Sequence, residues 1–458
     1  MSSKRVLVFG TGRFFENRKQ CIPMECVIGF LDNNPDKQGK MFCGRKVISP
    51  EQISQEKFDY VLIMSSAEND MKQQLLELGV DDEKIVFFDE LYKIKKEMES
   101  MVFYSAINNY NLESPIVLVS HELSYTGGPI VLKNLAVTLK KMGYFPVIIS
   151  PADGPLRNDI VDNDLMLIVD ANITKRNPLF YQMFHFAKMV IVNTVVAGNV
   201  ISEFADITRK MVWWLHEGDM SYNEHTIKYC GLKTNNLYVY AVSSLAANSY
   251  KKYGDRLTGI MHYGLDDYYD TNLPDIPKDK IIFAVIGTVG RRKGQDILAE
   301  AVKKLNDDIR NKAEFWVVGK TLEDEVEQIL RADETGTIKI FGEIPSEEIP
   351  NLYRQIDVVV CPSREDPLPV VLSEGMMNHK VCIMSDMTGT ADLVDDMVNG
   401  LVFKSESADE LAGKITWIVE NWNSEKVVSI KDNSRTLFET QFSNAALEKK
   451  IKEIIELA

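Results

Sequence analysis

Short apolar runs recur along the whole chain, and most of them are rich in β-branched residues and lead into a stretch with helical spacing. These runs lie at residues 6–10, 26–31, 60–64, 116–120, 147–150, 165–170, 189–193, 211–215, 237–243, 281–287, 314–319, 338–342, 358–361 and 381–385. Many are apolar throughout, which is typical of strands that are buried on both faces of a parallel sheet. Strands that alternate with helices predict an α/β fold.

The 458 residues are too many for one core, since a domain takes roughly 150 residues. A linker with two prolines at residues 271–280 marks one boundary. We predict a first domain at 1–90, a helical connector at 91–114, a second domain at 115–275, a third at 276–430 and a C-terminal helix at 431–458. One place where that last helix could pack is the second domain.

Composition limits where the protein works and what it binds. Hydrophobic residues make up 45% of the chain, yet no apolar run reaches the roughly 20 residues that span a bilayer. The first residues lack the apolar stretch of a secretory signal, so we expect a cytoplasmic protein, with the inner face of the membrane as one location there. The net charge of −15 argues against a nucleic-acid partner. The six cysteines form no C-x-x-C pair, so we expect no zinc site.

A first glycine-bearing loop contains Gly127 and Gly128 and follows the run 116–120. Pro129 and the apolar residues after it have the pattern of a helix start. A helix N-terminus offers free N–H groups to an anion, and glycine lets a ligand approach the backbone. An ordinary strand-to-helix turn explains the same pattern, and the residues alone leave both interpretations open.

A second loop follows the run 281–287 and has three consecutive cations, Arg291, Arg292 and Lys293, between two glycines. Such a cluster could neutralise a diphosphate, because Arg offers paired donors and Lys a point charge. The alternative is a solvated basic turn, which is less expected in an acidic protein.

A third segment is acidic and carries Glu365 and Asp366 before Pro367 and Pro369. These prolines predict that a helix begins near Pro369. The two acids could accept hydrogen bonds from sugar hydroxyls, or they could complement the helix dipole. Glu374 lies in an apolar stretch of that helix and therefore needs a polar partner.

A fourth segment ends the run 211–215 with His216 and Glu217. The carboxyl ends of strands are where open α/β sheets bind ligands. A histidine at such a position is often a structural hydrogen-bonding residue, so both roles stay open.

Over about residues 115–420, the order and spacing of these segments resemble the family 4 retaining glycosyltransferases of the GT-B fold. Tyr263-Gly-Leu-Asp266, Gly389-Thr-Ala-Asp392 and Asn399-Gly-Leu401 add to the resemblance. It implies two Rossmann-like domains that face each other across a cleft, with the nucleotide-sugar donor held by the C-terminal one and the acceptor by the N-terminal one.

The resemblance also implies roles for single residues. Lys293 and Arg292 would hold the donor diphosphate, Glu374 the ribose, and Asp366 a hydroxyl of the donor sugar, with Glu365 as the alternative first acid. The implied catalytic residues are His216, Asp366 and Glu374. The implied donor-binding residues are Gly127, Gly128, Thr288, Arg292, Lys293, Gly342, Glu365, Pro367, Leu368 and Pro369.

The activity that the resemblance implies is metal-independent transfer of a sugar, with retention, from a nucleoside-diphosphate sugar such as a UDP-sugar. The acceptor would be a hydroxyl of a glycan or a lipid-linked glycan, in the assembly of bacterial surface polysaccharide or glycoconjugates. No cofactor and no metal ion are expected. The alternative is a non-catalytic GT-B subunit that stabilises another glycosyltransferase.

The first domain differs from this pattern. Its Gly10-Thr-Gly12 turn and the segments 29–33 and 61–65 resemble the small Rossmann-like N-terminal domain of sugar acyltransferases. A third glycine is missing, so a structural role, a protein-docking role and a nucleotide-binding role all stay open. The stretch 92–104 could contact a membrane surface or pack as the connector helix.

Overall fold

The computed structural model describes residues 4–16, 18–19, 22, 24, 26–91, 94, 102–104, 114–174, 178–207, 209–270, 276, 278–345 and 348–456. The chain divides into two compact units. One comprises Met1–Met211 and Thr234–Asn236, and the other comprises Val212–Lys233 and Leu237–Ala458.

The first unit begins with a six-stranded sheet in the order β3-β4-β2-β1-β5-β6. Its strands are β1 (Val6–Phe9), β2 (Val27–Leu31), β3 (Met41–Phe42), β4 (Arg45–Ile48), β5 (Tyr60–Ile63) and β6 (Ile85–Phe87). The pairs are parallel except β3 with β4. This order confirms a separate α/β domain at the N-terminus.

Five further strands of the first unit pair in the order β11-β8-β9-β10-β7. They are β7 (Val102–Tyr104), β8 (Ile116–Val119), β9 (Pro146–Ser150), β10 (Met166–Val169) and β11 (Met189–Asn193). All pairs are parallel except β7 with β10. The helices of this unit are Arg13–Glu16, Glu68–Glu77, Gly127–Lys141, Leu156–Asp162, Pro178–Phe186 and Gly198–Glu203.

The second unit contains β12 (Met211–Leu215) except for its first residue, together with β13 (Leu237–Ala241) and β14 (Leu257–Ile260). A complete sheet of six parallel strands follows along the chain. These six are β15 (Ile281–Ile286), β16 (Ala313–Val318), β17 (Ile338–Phe341), β18 (Val358–Cys361), β19 (Val381–Ser385) and β20 (Leu401–Phe403). Their order is β17-β16-β15-β18-β19-β20, so the direction of winding reverses between β15 and β18. Ligands bind at such a reversal, outside the carboxyl ends of the strands.

Helices cover this last sheet because their apolar faces have the predicted spacing. The helices of the second unit are Glu224–Cys230, Ser244–Lys251, Gln295–Lys304, Asp307–Lys312, Asp324–Arg331, Ile349–Gln355, Val370–Met377, Ala408–Asn421, Glu425–Gln441 and Asn444–Glu456. Ile297, Leu298 and Val302 of one helix join Phe283 and Phe315 of the sheet in one buried cluster. The α/β prediction is thereby confirmed.

Two segments differ in detail from the sequence prediction. Within the predicted helical connector, Val102–Tyr104 form a strand on β10, while most of 91–114 lies outside the described residues. The predicted single C-terminal helix is interrupted at Phe442 and Ser443. Leu265 donates its N–H to the carbonyl of Phe442 at 2.9 Å, so the interruption lets this part of the chain pair with residue 265.

Within the described ranges, no helix combines the length and the apolar character that crossing a bilayer requires.

Candidate functional site

The loops after β15 and β18 lie at the reversal point of the second unit's sheet. Gly287 begins the first loop with a φ of +133°, and Gly294 ends it with a φ of +73°. A Cβ atom on Gly294 would lie 2.0 Å from the carbonyl oxygen of Pro362. Only glycine therefore allows the two loops to approach each other this closely.

Gln295 anchors the backbone of the basic loop, which comprises residues 287–294. Its buried side chain accepts a hydrogen bond from the N–H of Gly290 at 3.2 Å and donates one to the carbonyl of Thr288 at 3.0 Å. As a result, Thr288, Arg291 and Arg292 are exposed, whereas Lys293 is half-buried. The sequence analysis missed Gln295, which no motif distinguishes from an ordinary helix-start residue.

Arg364 joins the acidic loop to the basic loop. Its guanidinium donates to both carboxylate oxygens of Asp296, at 2.9 and 2.8 Å, and to the carbonyl of Arg291 at 2.5 Å. The backbone N–H of Arg364 donates to the carbonyl of Arg292 at 2.8 Å. The hydrogen bonds to Asp296 raise the pKa of Arg364 above its ordinary value, so the bridge stays charged. Arg364 was also missed by the sequence analysis.

The centre of the site is an ion pair between the two loops. Lys293 Nζ donates to Asp366 Oδ2 at 2.6 Å. Arg292 Nη1 lies 3.9 Å from the same oxygen and donates to the carbonyl of Glu365 at 2.9 Å. The structure thus brings together Lys293, Arg292 and Asp366, which the sequence places on loops far apart in the chain.

Glu365 has different partners from Asp366. Its carboxylate accepts hydrogen bonds from the backbone N–H groups of Asp219 at 3.1 Å and Met220 at 3.3 Å. A Cβ atom on Gly218 would lie 2.2 Å from Glu365 Oε1, so a larger residue there would require the Glu365 side chain to move. The geometry therefore favours Asp366, rather than Glu365, as the acid beside the cations.

Glu374 lies on the helix Val370–Met377, which begins directly after Pro369 as predicted. Tyr353 provides the polar partner that the sequence required: its hydroxyl donates to Glu374 Oε2 at 2.8 Å. Burial raises the pKa of Glu374 to about 7, and the hydrogen bond from Tyr353 acts in the opposite direction. Of the residues just before the helix, Leu368 and Pro369 are buried and Pro367 is half-buried.

His216 follows β12 and belongs to the second unit, as do Lys293 and Glu374. Its ring meets the ring of Trp214 edge-on, with 4.5 Å between the centroids, and its backbone N–H donates to Glu217 Oε2 at 2.8 Å. Gly342, which follows β17, is exposed and accepts a hydrogen bond from the N–H of Gly319 at 3.1 Å. None of these contacts involves the ion pair of Lys293 and Asp366.

Gly127 and Gly128 lie in the first unit, where Gly127 begins the helix Gly127–Lys141. This loop follows β8, and the loop with Asn193 and Thr194 lies at the end of β11. β8 and β11 are neighbours in the sheet, and the direction of winding reverses between them. Asn193 Nδ2 donates to the carbonyl of Gly128 at 2.9 Å. Thr194 Oγ1 lies 3.3 Å from His121 Nδ1, at hydrogen-bond distance.

Thr194 has a backbone conformation that is rare for its residue type. Its φ is +73° and its ψ is 156°, a region that is occupied almost only by glycine. Sequence reasoning missed Thr194 and His121, because a threonine gives no signal of a left-handed backbone. Strain of this kind clusters at functional sites, and Thr194 follows a strand at a winding reversal, where open α/β sheets generally bind ligands.

In the first domain, the glycine turn Gly10-Thr-Gly12 is hydrogen-bonded to a side chain of the same domain. Asp32, at the end of β2, accepts hydrogen bonds from the N–H and the hydroxyl of Thr11 and one from Lys37. Burial acts to raise the pKa of Asp32, but the hydrogen bonds from Thr11, Asn34 and Lys37 lower it overall. The carboxylate at the end of β2 therefore closes the glycine turn within the domain.

Across the described part of the chain, no group of three or more His, Cys, Asp or Glu residues is arranged to hold a metal ion. Cys361 and Cys382 are buried free thiols.

Three protein families match successive parts of the chain. Residues 2–86 match the family described as C2185-like, N-terminal. Residues 113–260 match glycosyl-transferase family 4, and residues 272–437 match glycosyl transferases group 1. The two latter matches fall on the domains that contain Gly128 and Lys293. The likeness of the first domain to sugar acyltransferases stays a prediction.

Individual relatives are distant. An uncharacterised glycosyltransferase of Methanocaldococcus jannaschii is 26% identical over 137 residues, which are 30% of this chain and 37% of the relative. The N,N'-diacetylbacillosaminyl-diphospho-undecaprenol alpha-1,3-N-acetylgalactosaminyltransferase of Campylobacter jejuni is 26% identical over 113 residues, which are 25% of this chain and 30% of the relative. This chain thus spans well under half the length of these curated relatives.

The fold is shared over a longer range. The crystal structure of Anabaena HepE in complex with UDP and glucose superposes with a TM-score of 0.63 at 19% identity. The superposition covers 75% of this chain and 99% of the other. About 75% of this chain therefore shares the GT-B fold of that structure. Residues 113–260 and residues 272–437 each resemble a domain of glycosyltransferases.

Proposed function

We propose that the protein is a retaining, metal-independent glycosyltransferase that uses a nucleoside-diphosphate sugar as its donor. The observation that carries the proposal is the convergence of Lys293, Arg292 and Asp366 at the carboxyl ends of β15 and β18. Two cations at the reversal point of a doubly wound sheet are suited to a diphosphate. The helix that begins at Val370 adds free N–H groups at the same loop.

Each residue has a role in this proposal. Lys293 and Arg292 neutralise the diphosphate, and Asp366 accepts a hydrogen bond from a hydroxyl of the donor sugar. Glu374 accepts hydrogen bonds from the ribose. His216 is assigned to face the donor sugar; in support, it follows the end of β12 and belongs to the same unit as Lys293 and Glu374.

The reaction breaks the bond between the anomeric carbon and the diphosphate oxygen. The bond to the acceptor oxygen forms on the same face of the sugar, which retains the anomeric configuration. The acceptor hydroxyl gives its proton to the departing diphosphate, so no protein base is assigned. The protein's contribution is to stabilise the negative charge that develops on the diphosphate, through Lys293 and Arg292.

The donor and acceptor classes come from the relatives. HepE was crystallised with UDP and glucose, and the Campylobacter relative is named for transfer to a diphospho-undecaprenol-linked sugar. We propose a UDP-sugar donor and a glycan or lipid-linked glycan acceptor, in surface polysaccharide or glycoconjugate assembly at the cytoplasmic face of the membrane. Residues 1–90 are proposed to dock a protein partner.

The test is donor hydrolysis by the purified protein against a panel of UDP-sugars and GDP-sugars, with and without EDTA. We expect hydrolysis of one donor, unchanged by EDTA and abolished in Lys293→Ala and in Glu374→Ala. Lys304→Ala is the matched control, because Lys304 also pairs with an aspartate, Asp409, at 2.7 Å, but at the C-terminal end of the helix Gln295–Lys304 and with both residues exposed.

Two outcomes would contradict the proposal. Activity that EDTA removes and a divalent ion restores would contradict the metal-independent mechanism. Absence of hydrolysis, together with no rise in melting temperature on adding UDP or GDP, would favour the non-catalytic partner subunit, because any ligand of the folded state stabilises it.

A further inference from the structure

Tyr353 is a fully buried residue of the helix Ile349–Gln355, and it points at the helix that carries Glu374. Its hydroxyl donates to Glu374 Oε2 at 2.8 Å and lies 3.2 Å from the carbonyl of Val371. A hydroxyl has only one proton, so the two acceptors compete for it. The ionised carboxylate is the stronger acceptor, since hydrogen bonds to a charged oxygen are stronger than those to a neutral one.

The two carboxylate oxygens of Glu374 differ in their hydrogen bonding within the described part of the chain. Among the described residues, none donates a hydrogen bond to Glu374 Oε1, while Oε2 is occupied by Tyr353. The side chain is half-buried, so this oxygen can be reached by a ligand. Tyr353 therefore fixes one oxygen and leaves the other available in a fixed orientation.

The remaining elements that pack on this helix carry Tyr263, Tyr268, Cys361, Cys382 and the ion pair of Asp267 with Arg435. Burial raises the pKa of Cys361 to about 11 and that of Cys382 to about 12. Burial also raises the pKa values of the two tyrosines, so these four groups stay neutral between pH 6 and pH 9. Arg435 is engaged by Asp267 and by the carbonyl of Met377 at 2.6 Å.

Two further groups lie near the ends of the helix. His379 is bonded to Asp432 at 2.7 Å just after the C-terminal end, and Lys293 is paired with Asp366 before the N-terminal end. Both pairs are present in wild type and in every variant compared below, so they do not distinguish one variant from another.

We propose that Tyr353 is a positioning residue for the donor nucleotide, because it orients the Glu374 carboxylate towards the ribose and sets the pH below which nucleotide binding weakens. This inference rests on the proposed function, since it takes Glu374 as the ribose-binding group. Tyr353 itself does not touch the ligand. It acts through the charge and the orientation of Glu374.

The direction of the pH effect follows from the protonation of Glu374. When the Glu374 carboxylate is ionised, Oε1 can accept hydrogen bonds from ribose hydroxyls through both of its lone pairs. Protonation of the carboxyl group makes Oε1 a weaker acceptor. With a pKa of about 7, the carboxyl is increasingly protonated as the pH falls below 7, so nucleotide affinity falls. Removing the Tyr353 hydroxyl removes the bond that favours the anion, so the loss of affinity moves to higher pH.

The experiment is isothermal titration calorimetry of UDP, and of GDP if UDP does not bind, from pH 6 to pH 9. Wild type, Tyr353→Phe and Glu374→Gln are compared. At pH 7 we expect Tyr353→Phe to bind roughly fivefold to tenfold more weakly than wild type, with the difference shrinking towards pH 9. Glu374→Gln should show only the pH dependence of the terminal phosphate of UDP, which titrates in the same range.

Tyr263→Phe is the matched control. The Tyr263 hydroxyl is hydrogen-bonded to Ser373 Oγ at 2.9 Å, on the same helix and one residue before Glu374. The Tyr263→Phe variant therefore loses a buried tyrosine hydroxyl, as the Tyr353→Phe variant does. The hydroxyl that it loses is not bonded to Glu374. We expect its pH profile of UDP affinity to match that of wild type.

The outcomes separate the inference from the proposed function. If wild type binds UDP or GDP and Tyr353→Phe has the same pH profile, the positioning role is wrong while the proposed function stands. If Tyr263→Phe shifts the profile as much as Tyr353→Phe, the effect is a general one of the helix and the inference is overturned. If wild type binds neither nucleotide at any pH, the proposed function fails and takes the inference with it.

Discussion

Lys293 Nζ lies 2.6 Å from Asp366 Oδ2, and the two side chains are 20% and 10% exposed. The pair joins the loop after β15 to the loop after β18, so each residue holds the other at the sheet's reversal point. The same ammonium is proposed to bind the donor diphosphate. A phosphate oxygen that binds Lys293 Nζ must therefore either share this ammonium with the Asp366 carboxylate or replace the carboxylate as its partner.

The first prediction separates these two roles. Lys293→Ala should abolish UDP binding and also lower the free energy of unfolding by about 1–3 kcal/mol, because it leaves Asp366 largely buried beside a weaker partner. That partner is Arg292, whose Nη1 is 3.9 Å away. Lys293→Ala combined with Asp366→Asn should recover the unfolding midpoint without recovering UDP binding.

Thermal unfolding and calorimetric UDP binding check both parts of this prediction. A double variant that is as unstable as Lys293→Ala would show that the carboxylate is not the source of the loss. A double variant that regains UDP binding would show that Lys293 is not the phosphate ligand.

The second prediction concerns Arg364, which bridges the two loops and to which the proposed function gives no contact with the donor. Arg364→Lys keeps the charge but cannot reproduce the paired hydrogen bonds to Asp296 at 2.9 and 2.8 Å. The basic loop should then be held less firmly, so we expect KM for the donor to rise by roughly threefold to thirtyfold with a smaller change in kcat. An unchanged KM would show that Gln295 and Gly294 are enough to hold the loop.

The predicted α/β fold and the helix start at Pro369 were confirmed, because both depend on local signals. Apolar runs mark buried strands, glycines mark turns, and prolines limit where a helix begins. The placement of Lys293 beside Asp366 could be expected only through the family resemblance. The sequence alone could not choose between Glu365 and Asp366, because adjacent residues share every local signal.

The supporting residues were missed for a physical reason. Arg364 meets Asp296 across 68 positions of the chain, and Tyr353 meets Glu374 from another helix across 21 positions. Such pairs depend on the packing of elements, which no short spacing encodes. The break at Phe442 has the same origin, since it depends on pairing with Leu265.

The third prediction uses two glycines that share a left-handed backbone. Gly294 has a φ of +73° and no room for a Cβ atom, which would lie 2.0 Å from the carbonyl oxygen of Pro362. Gly336 has a φ of +66°, and a Cβ atom there would meet nothing within 4 Å. Alanine at Gly336 should cost about 1–2 kcal/mol of strain, whereas alanine at Gly294 should cost about 1–3 kcal/mol more.

Denaturant unfolding of both variants measures this difference, and UDP affinity measures its effect on the site. We expect only Gly294→Ala to lose UDP binding, because the backbone shift moves Lys293. Equal losses of stability and unchanged UDP binding in both variants would mean that the loops adapt to the extra atom.

The last prediction concerns the strain at Thr194, whose φ is +73° and whose ψ is 156°. Glycine adopts this conformation without steric cost, whereas alanine suffers the same clash as threonine. Thr194→Gly and Thr194→Ala both remove the hydroxyl beside His121 and the methyl group beside Gly128, so their difference isolates the backbone. At an unstrained position alanine would be the more stable of the two by about 0.5–1 kcal/mol. Here we expect Thr194→Gly to be the more stable, by about 1–3 kcal/mol, in thermal unfolding. The reverse order would show that the loop after β11 relaxes once the threonine side chain is removed, and that it stores no strain.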